Sequence, residues 1–598
     1  MFLRAIREFY YYFNYFYRYI GYRIYILIFL GLIMGILDGF GIAMFIPLIE
    51  VMSVEGEAQT FDQMGKLAFL AESINDLGIR LSLNMILLIM LLFFLLKGFF
   101  NFIKSYKSVI YIQRFTRKIR EEIIEGLKNL QYQLMISTDS GKIQNTLGGE
   151  AQLVVRAFNI YLQVIHSIVL LFVYLTLAFF AHFQFALLVL IAGIMSNLLF
   201  SRLYKMSKKL SRKITTQNHF FQGLILQTTL HYKYLKATGL IRRYADKLNL
   251  QVRKLEDTNK KTGVIVGVFD SLREPLTIGI VVLIILIQIN LLGGNISMIL
   301  LSVLFFYRAM TSVLSLQNFW NRLLANTGTI ENMVNFSEDL KSGTEENGHI
   351  DFEGLQKSIR FLNVSYSYDE DKAVLKNIQL QLQKNKTIAI VGESGAGKTT
   401  FVNLLCGLMY PNEGELLIDE INIRDINRYT YQEKIGYITQ ESVIFNATIF
   451  ENVTFWDEPN QENLILFQKA LERAQIADFV FSLREKGNTL LGTNGINLSG
   501  GQRQRITIAR ELYKKVDILI MDEATSSLDS ETEKDIQVEI DQLTGNYTLI
   551  VIAHRLSTVK SADTVVLLKN GKIAACGSYE SLLEESADFR KMVELQTL

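Results

Sequence analysis

Thiols are nearly missing from this sequence. Cys406 and Cys576 are the only two in 598 residues, so no disulfide framework holds the fold. Proline is almost as rare, at four residues, which excludes a proline-rich linker anywhere in the chain. Charge is thin as well: 20% of residues are Asp, Glu, Lys or Arg, against roughly a quarter in soluble domains. The 61 basic and 59 acidic side chains nearly cancel, and a net charge of +2 argues against a nucleic-acid-binding protein with its strongly basic face. Apolar residues fill the space, making up half of the chain. So much hydrophobic surface excludes disorder and fits a membrane-embedded part joined to a soluble part.

Apolar runs of spanning length lie only in the first 325 residues; a hydrocarbon core of about 30 Å needs about 20 helical residues. Six candidates stand out, at 24–50, 82–103, 160–181, 183–201, 264–290 and 296–322. The third and fourth are separated by a tight turn near His182, the fifth and sixth by Leu291–Asn295. Arg4, Arg7, Arg18 and Arg23 interrupt the start, which therefore does not read as a cleavable signal peptide. The aromatic stretch from Phe9 to Tyr25 reads as an interfacial helix along the membrane. No further domain is expected ahead of the first span, which argues against an attached leader-cleaving peptidase.

Lysine and arginine placement gives an orientation. The 51–81 loop has only Lys66 and Arg80, whereas 104–159 carries nine basic residues beginning with Lys104 and Lys107, and 202–262 begins with Arg202, Lys205, Lys208 and Lys209. Positive-inside then puts both long basic loops, the N-terminus and everything after the sixth span in the cytoplasm, with the chain in the cytoplasmic membrane. Phe115, Ile119, Ile123 and Leu127 recur at helical spacing, so the spans should continue as long cytoplasmic helices. Turns near Tyr111–Arg120 and Leu226–Lys236 are the expected coupling points, the second offering Leu230, Tyr232, Tyr234 and Leu235 as an apolar set fit to insert into a groove.

The texture changes after the polar stretch Ser337–His349. The expected organisation is an all-α membrane domain of six helices over 1–336, a linker at 337–349 and an α/β domain over 350–598. In the last, short β-branched runs at Thr387–Gly392, Asp517–Met521, Thr548–Ala553 and Thr564–Leu568 alternate with amphipathic helices, which implies a largely parallel sheet.

Gly392-Glu393-Ser394-Gly395-Ala396-Gly397-Lys398-Thr399-Thr400 follows one such strand and opens a helix, matching G-x-x-x-x-G-K-[ST]. Its glycines let successive N–H groups converge on phosphate oxygens, Lys398 reaches the β- and γ-phosphates, and the Thr399 hydroxyl reaches Mg²⁺. Ile518–Met521 is an apolar strand ending in Asp522 and Glu523. Alone it is as easily a capped strand. Behind a phosphate-binding loop, Asp522 reads as support for Mg²⁺ and Glu523 as the group polarising the attacking water.

Leu498-Ser499-Gly500-Gly501-Gln502 completes the set, and here the sequence resembles the ATP-binding cassette (ABC) superfamily, in which this signature closes over nucleotide held by a partner domain. The resemblance implies that Tyr368 stacks on adenine and that Gln440 links Mg²⁺ and the attacking water to the membrane domain. It also implies that Ser527-Leu528-Asp529 crosses the dimer interface and that His554 senses the γ-phosphate. Six spans, long cytoplasmic loops and one cassette resemble an exporter-type half-transporter. With every motif intact in one chain, two copies would form a homodimer with two competent ATP sites. One departure is Thr493, in Leu491–Gly495, where the family's exporters often carry Glu.

The membrane half is less specific. Asp38, Lys97, Asp270, Arg273, Glu274 and Arg308 lie in or beside apolar spans, where charges face a bundle interior or water. Asp38, amid Gly35, Gly39 and Gly41, either lines a path or ties one helix to another. Gly39–Pro47 resembles the first span of bacterial flippases for lipid-linked oligosaccharides and of related lipid exporters. The expected function is ATP-driven export or flipping of an amphipathic, lipid-linked substrate. A peptide or drug exporter of the same build is the alternative, and a membrane-anchored ABC ATPase without transport is the remote one.

Overall fold

Helices occupy all six apolar runs in a computed structural model that describes residues 2–45, 47–48, 82–138, 140–181, 183–292, 296–368, 373–522, 544–553 and 556–597. In chain order the helical part runs α1 (Phe2–Ile20), α2 (Arg23–Ala43), α3 (Leu83–Lys128), α4 (Tyr132–Ser137), α5 (Ser140–Asn145) and α6 (Ala151–Ala181). It continues with α7 (Phe183–Leu230), α8 (Tyr232–Ala237), α9 (Ile241–Leu292), α10 (Ile296–Leu324) and α11 (Thr327–Ser342). Among the described residues, Arg23–Ala43, Leu83–Lys128 and Ile143–Phe180 are long and apolar enough to cross a membrane. The 51–81 loop, His182 and Gly293–Asn295 lie outside the described residues.

The spans continue as long helices, as expected: α3, α7 and α9 run for 46, 48 and 52 residues. Ile119 and Ile123 face inward, as their spacing predicts. One expectation changes. Tyr111–Arg120 is not a turn but the interior of α3, with Tyr111, Phe115 and Ile119 buried; α3 ends only at Lys128. The apolar content of that stretch therefore serves packing within this unit.

The aromatic N-terminus also differs from a single surface helix. It breaks at Gly21, whose φ of 64° is open to glycine at no steric cost. One face of α1 is core rather than interface. Phe16 is fully buried among Phe115, Phe158 and Tyr161, with ring centroids 5.0–5.6 Å away, and such pairs add about 0.5–1.5 kcal/mol beyond area burial. Tyr10, Tyr11 and Tyr17 remain exposed on the other face.

Close approach of α2 to α6 follows from a glycine stripe. A side chain at Gly31, Gly35 or Gly39 would meet Val169, Val173 or Leu177, respectively, the last in outright overlap. Both triplets repeat every four residues, so a smooth groove receives a ridge. At the same level the buried Asp38 carboxylate accepts hydrogen bonds from the Lys97 ammonium of α3 and the Tyr174 hydroxyl of α6. A charge so placed is tolerable only because it is paired and hydrogen-bonded. Asp270 is likewise held, by Arg322 at 3.1 Å and by Asn318.

The chain divides into two compact units, the first comprising Met1–Leu130 with Leu134–Thr344 and the second Gln131–Gln133 with Glu345–Leu598. The stretch expected as linker from Ser337 begins as the end of α11, with Leu340 buried in the first unit's core. In the second unit, β1 (Ser358–Ser367), β2 (Ala373–Gln383), β3 (Thr387–Val391), β4 (Glu413–Ile418), β5 (Ile421–Asn422) and β6 (Ile435–Ile438) are joined by β7 (Ile518–Asp522), β8 (Thr548–Ile552), β9 (Thr564–Lys569) and β10 (Lys572–Gly577). Their order is β10-β9-β3-β8-β7-β6 in one sheet and β2-β1-β4-β5 in another. The larger sheet is parallel from β9 to β6, with β10 antiparallel at its edge. Its central strands are buried on both faces, Ala389, Leu519 and Val551 in one cluster and Ile388, Ile520 and Ile550 in the other. That double burial explains their unbroken apolar runs. The smaller sheet is antiparallel, an addition to the parallel architecture expected.

Asp38→Ala should lower stability by about 1–3 kcal/mol, because the buried Tyr174 hydroxyl loses its acceptor and the half-buried Lys97 its counter-charge. Asp38→Leu combined with Lys97→Met should recover most of that loss. Thermal unfolding in detergent measures both; an unchanged midpoint for Asp38→Ala would remove the pair from the domain's support.

Candidate functional site

The chain leaves β3 at Val391 and turns through the glycine-rich loop into α12 (Lys398–Leu405). Two glycines are required by geometry. Gly392 has φ 154°, and a Cβ there would overlap the Leu568 carbonyl oxygen. Gly397 is the N-cap of α12 at φ 104°, with Leu375 2.8 Å from where a Cβ would be. No side chain fits either place, so the backbone amides of this turn stay uncovered at a helix start, where anions bind. Lys398 is buried, and its ammonium donates to the Gly392 and Glu393 carbonyls at 2.7 and 3.2 Å, which keeps the charge inside the loop. At the other end of α12, burial pushes the Cys406 thiol up to about 12, so that side chain packs and does not react.

Sheet topology brings further site residues to the same edge. β7 lies between β8 and β6, all parallel, with Met521 opposite Ile438. Asp522 therefore emerges beside the segment leading to Gln440, which is exposed. Tyr437, on β6, donates to Asp522 Oδ2 at 3.4 Å. Burial first, and the Asp522 carboxylate second, push its phenol well above the usual range, so it stays a donor. Ala553, just past β8, still bonds the Ile390 carbonyl at 3.1 Å, so β8 delivers the chain to this edge too. Glu523, Ser527–Asp529 and His554 lie outside the described residues.

Thr399, Gln440 and Asp522 offer a hydroxyl, an amide and a carboxylate oxygen, hard donors of the kind Mg²⁺ accepts beside nucleotide phosphates. That donor set fits the ion. Tyr368 follows β1, about two-fifths exposed, its hydroxyl 3.3 Å from Thr400 Oγ1, so one ring face is available to a base.

Ser499–Gln502 belong to a different element, α17 (Gly500–Tyr513), after α13 (Arg428–Glu433), α14 (Ile449–Thr454), α15 (Gln461–Arg473) and α16 (Ala477–Ser482). Ser499 is its exposed N-cap in a reciprocal box: Ser499 Oγ accepts from Gln502 N at 3.2 Å, and Gln502 Oε1 accepts from Ser499 N at 2.9 Å. The serine hydroxyl proton remains available to an outside acceptor. Thr493 sits in a single helical turn nearby, flanked by Gly492 and Asn494 at φ 68° and 54°.

Sequence reading missed Arg510. Buried on α17, it donates to the Asn452 carbonyl at 2.6 Å and the Val443 carbonyl at 2.8 Å. It thereby clamps the chain that follows Gln440. The available signal was a charge sharing the i, i+3, i+4 face of Ile506 and Ala509. The coupling turn expected at Leu226–Lys236 is a turn, at His231 between α7 and α8. Leu230, Tyr232 and Tyr234 are exposed there, but Leu235 is buried.

Residues 375–526 match the family described as ABC transporter, and residues 24–320 match the ABC transporter transmembrane region. The heterocyst differentiation ATP-binding protein HepA of Nostoc sp. is 30% identical across 80% of this chain and 79% of its own length. ATP-dependent lipid A-core flippases of Haemophilus influenzae and Syntrophus aciditrophicus are 26% and 28% identical, covering 84% and 89% of this chain and 86% and 89% of theirs. A bacterial Atm1-family ABC exporter solved with ATP bound has the same fold, with a TM-score of 0.78 at 22% identity over 97% of this chain and 99% of that one.

Gly397→Ala should abolish measurable ATP binding while the protein remains folded, because the added methyl forces the loop from its φ of 104°. Equilibrium binding of a fluorescent ATP analogue, with circular dichroism as the folding control, tests this; near-normal affinity would mean that the loop is not the phosphate cradle.

Proposed function

This chain belongs to the ABC transporter family, ATP-driven transporters, here with membrane region and ATPase in one polypeptide; from that premise we propose a homodimer that flips or exports an amphipathic, lipid-linked substrate across the cytoplasmic membrane. The observation that carries the lipid reading is similarity to lipid A-core flippases over 84–89% of this chain, at 26–28% identity. The basic loops after the second and fourth apolar runs support a cytoplasmic N-terminus and ATPase.

Each ATP site combines two copies. In one, the loop amides and Lys398 hold the phosphates, Thr399 and Asp522 hold Mg²⁺, and Gln440 joins the ion to the attacking water. Glu523 polarises that water and His554 contacts the γ-phosphate. The second copy contributes Ser499–Gln502, whose exposed, already capped helix start supports docking on the γ-phosphate. Binding of two ATP closes the cassettes and turns the substrate cavity outward; hydrolysis separates them. Catalysis is positioning and charge stabilisation, as in other phosphoryl transfers.

Vesicles reconstituted with the protein should move a fluorescent lipid-linked oligosaccharide between leaflets only with ATP and Mg²⁺. ATP-dependent movement of peptides or drugs without that activity would replace the lipid reading. Glu523→Gln should bind ATP and accumulate as a closed dimer, with turnover reduced at least about a hundredfold; near-normal turnover would refute its role. Replacing Tyr232 and Tyr234 together with Ala should leave basal ATPase unchanged and abolish its stimulation by substrate. Full stimulation in that variant would dismiss the exposed turn as a coupling element.

A further inference from the structure

Tyr366 sits two residues before Tyr368 and is buried to 2% exposure among Phe361, Leu375, Ile378 and Met409. Phenylalanine would fill that volume with no polar group to satisfy. The hydroxyl is nevertheless there, donating to Met409 Sδ at 2.9 Å and accepting from the Gln133 side-chain amide. Thioether sulfur is a weak acceptor, so the amide is the stronger partner. The Tyr366 ring in turn meets Tyr368 edge to face, with centroids 5.2 Å apart and planes at 90°. That arrangement has a preferred geometry, because the positive rim of one ring meets the negative face of the other. Fixing Tyr366 therefore fixes the plane that Tyr368 offers to a base.

Gln133 is not a stray contact. Gln131–Gln133 are built into the second unit, the Tyr132 ring packing on the cluster that holds Tyr366. The Tyr132 amide donates to Glu345 Oε1 at 3.4 Å, and Glu345 is paired with Arg428. In sequence, these three residues follow almost directly on α3, which ends at Lys128.

We propose that Gln133 is a positioning residue for the nucleotide base: its hydrogen bond to Tyr366 sets Tyr368 for stacking, so base binding and seating of Gln131–Gln133 are linked. The linkage is reciprocal. Whatever affinity the seated segment adds to ATP, ATP returns as preference for the seated segment. The proposal rests on Tyr368 as the adenine-stacking residue.

The test uses full-length protein in lipid nanodiscs with Tyr366→Phe, Gln133→Leu, the double variant, and Tyr368→Ala as reference. Gln133 is exposed and Tyr366→Phe keeps the buried ring, so folding is preserved. Each single variant should raise the KM for ATP about two- to tenfold, the worth of one hydrogen bond, with kcat unchanged. The double variant should be no worse than the weaker-binding single. Hydrogen exchange at the Tyr132 amide should slow on adding a non-hydrolysable ATP analogue in the wild type, and not in Tyr366→Phe. Unchanged KM in Gln133→Leu and Tyr366→Phe, additive effects, or Tyr132 exchange indifferent to nucleotide would overturn the linkage while leaving a weakened Tyr368→Ala, and hence stacking, intact. Unchanged affinity in Tyr368→Ala would overturn the stacking assignment and the linkage with it.

Discussion

In a parallel sheet every strand leaves by the same edge, and the chemistry of this chain depends on that. β3, β7 and β6 hand on the glycine-rich loop, Asp522 and the segment leading to Gln440 side by side, although the first two lie more than a hundred residues apart in sequence. The register is enforced because both faces are dry. Slipping one strand by a residue would exchange its contributions to the two clusters and misplace the acid at its end. Burial of Ile, Leu, Val and Ala is thus what aligns the polar groups. The same edge is a natural crevice for phosphates, lined by helix starts and uncovered amides.

The membrane region solves the opposite problem. Lipid gives no hydrophobic incentive for helices to associate, so α2 and α6 gain from contact distance and from hydrogen bonds. Gly31, Gly35 and Gly39 supply the first; Asp38, Tyr174 and Lys97 supply the second. Neither device works alone. Without the groove the helices stand too far apart for Tyr174 to reach the carboxylate, and without the carboxylate the lysine of α3 loses its counter-charge. The N-terminal helix adds a third solution, an aromatic wedge centred on Phe16 that seals α3 to α6.

Four strands of the larger sheet, β3, β7, β8 and β9, and the glycine-rich loop were readable almost to the residue because each is decided locally, by an apolar run bounded by special backbone positions. Thr387–Val391 and Thr564–Lys569 match their sequence expectations within a residue. The antiparallel sheet was not readable, since β1, β2 and β4 alternate in a way that specifies a strand but not its partner. Two misplacements share another cause. Tyr111–Arg120 was expected as a turn and Ser337–Ser342 as linker, but each is helix with one face, Tyr111, Phe115 and Ile119 or Leu340, packed on side chains distant in sequence. Leu235 resembled its neighbours Tyr232 and Tyr234 in composition, yet only helical phase decides which of them faces inward. At the site, residue types gave the donors, while Tyr366, Tyr437 and Arg510, which orient those donors, carried no motif because their partners are set by tertiary contact.

Length has a mechanical consequence. Helices of 46, 48 and 52 residues extend for about 70–80 Å at 1.5 Å per residue. Each is a lever arm longer than two bilayer cores. A tilt of about 5° about one end sweeps the other through about 6 Å, the size of a side chain, without breaking a single backbone hydrogen bond along the shaft. Leverage of this kind turns a small angular change at one end of a shaft into a displacement of side-chain size at the other. Pro275, inside the longest shaft, is the one proline among the described residues of the three, and there the ladder of backbone donors that stiffens the arm lacks a rung.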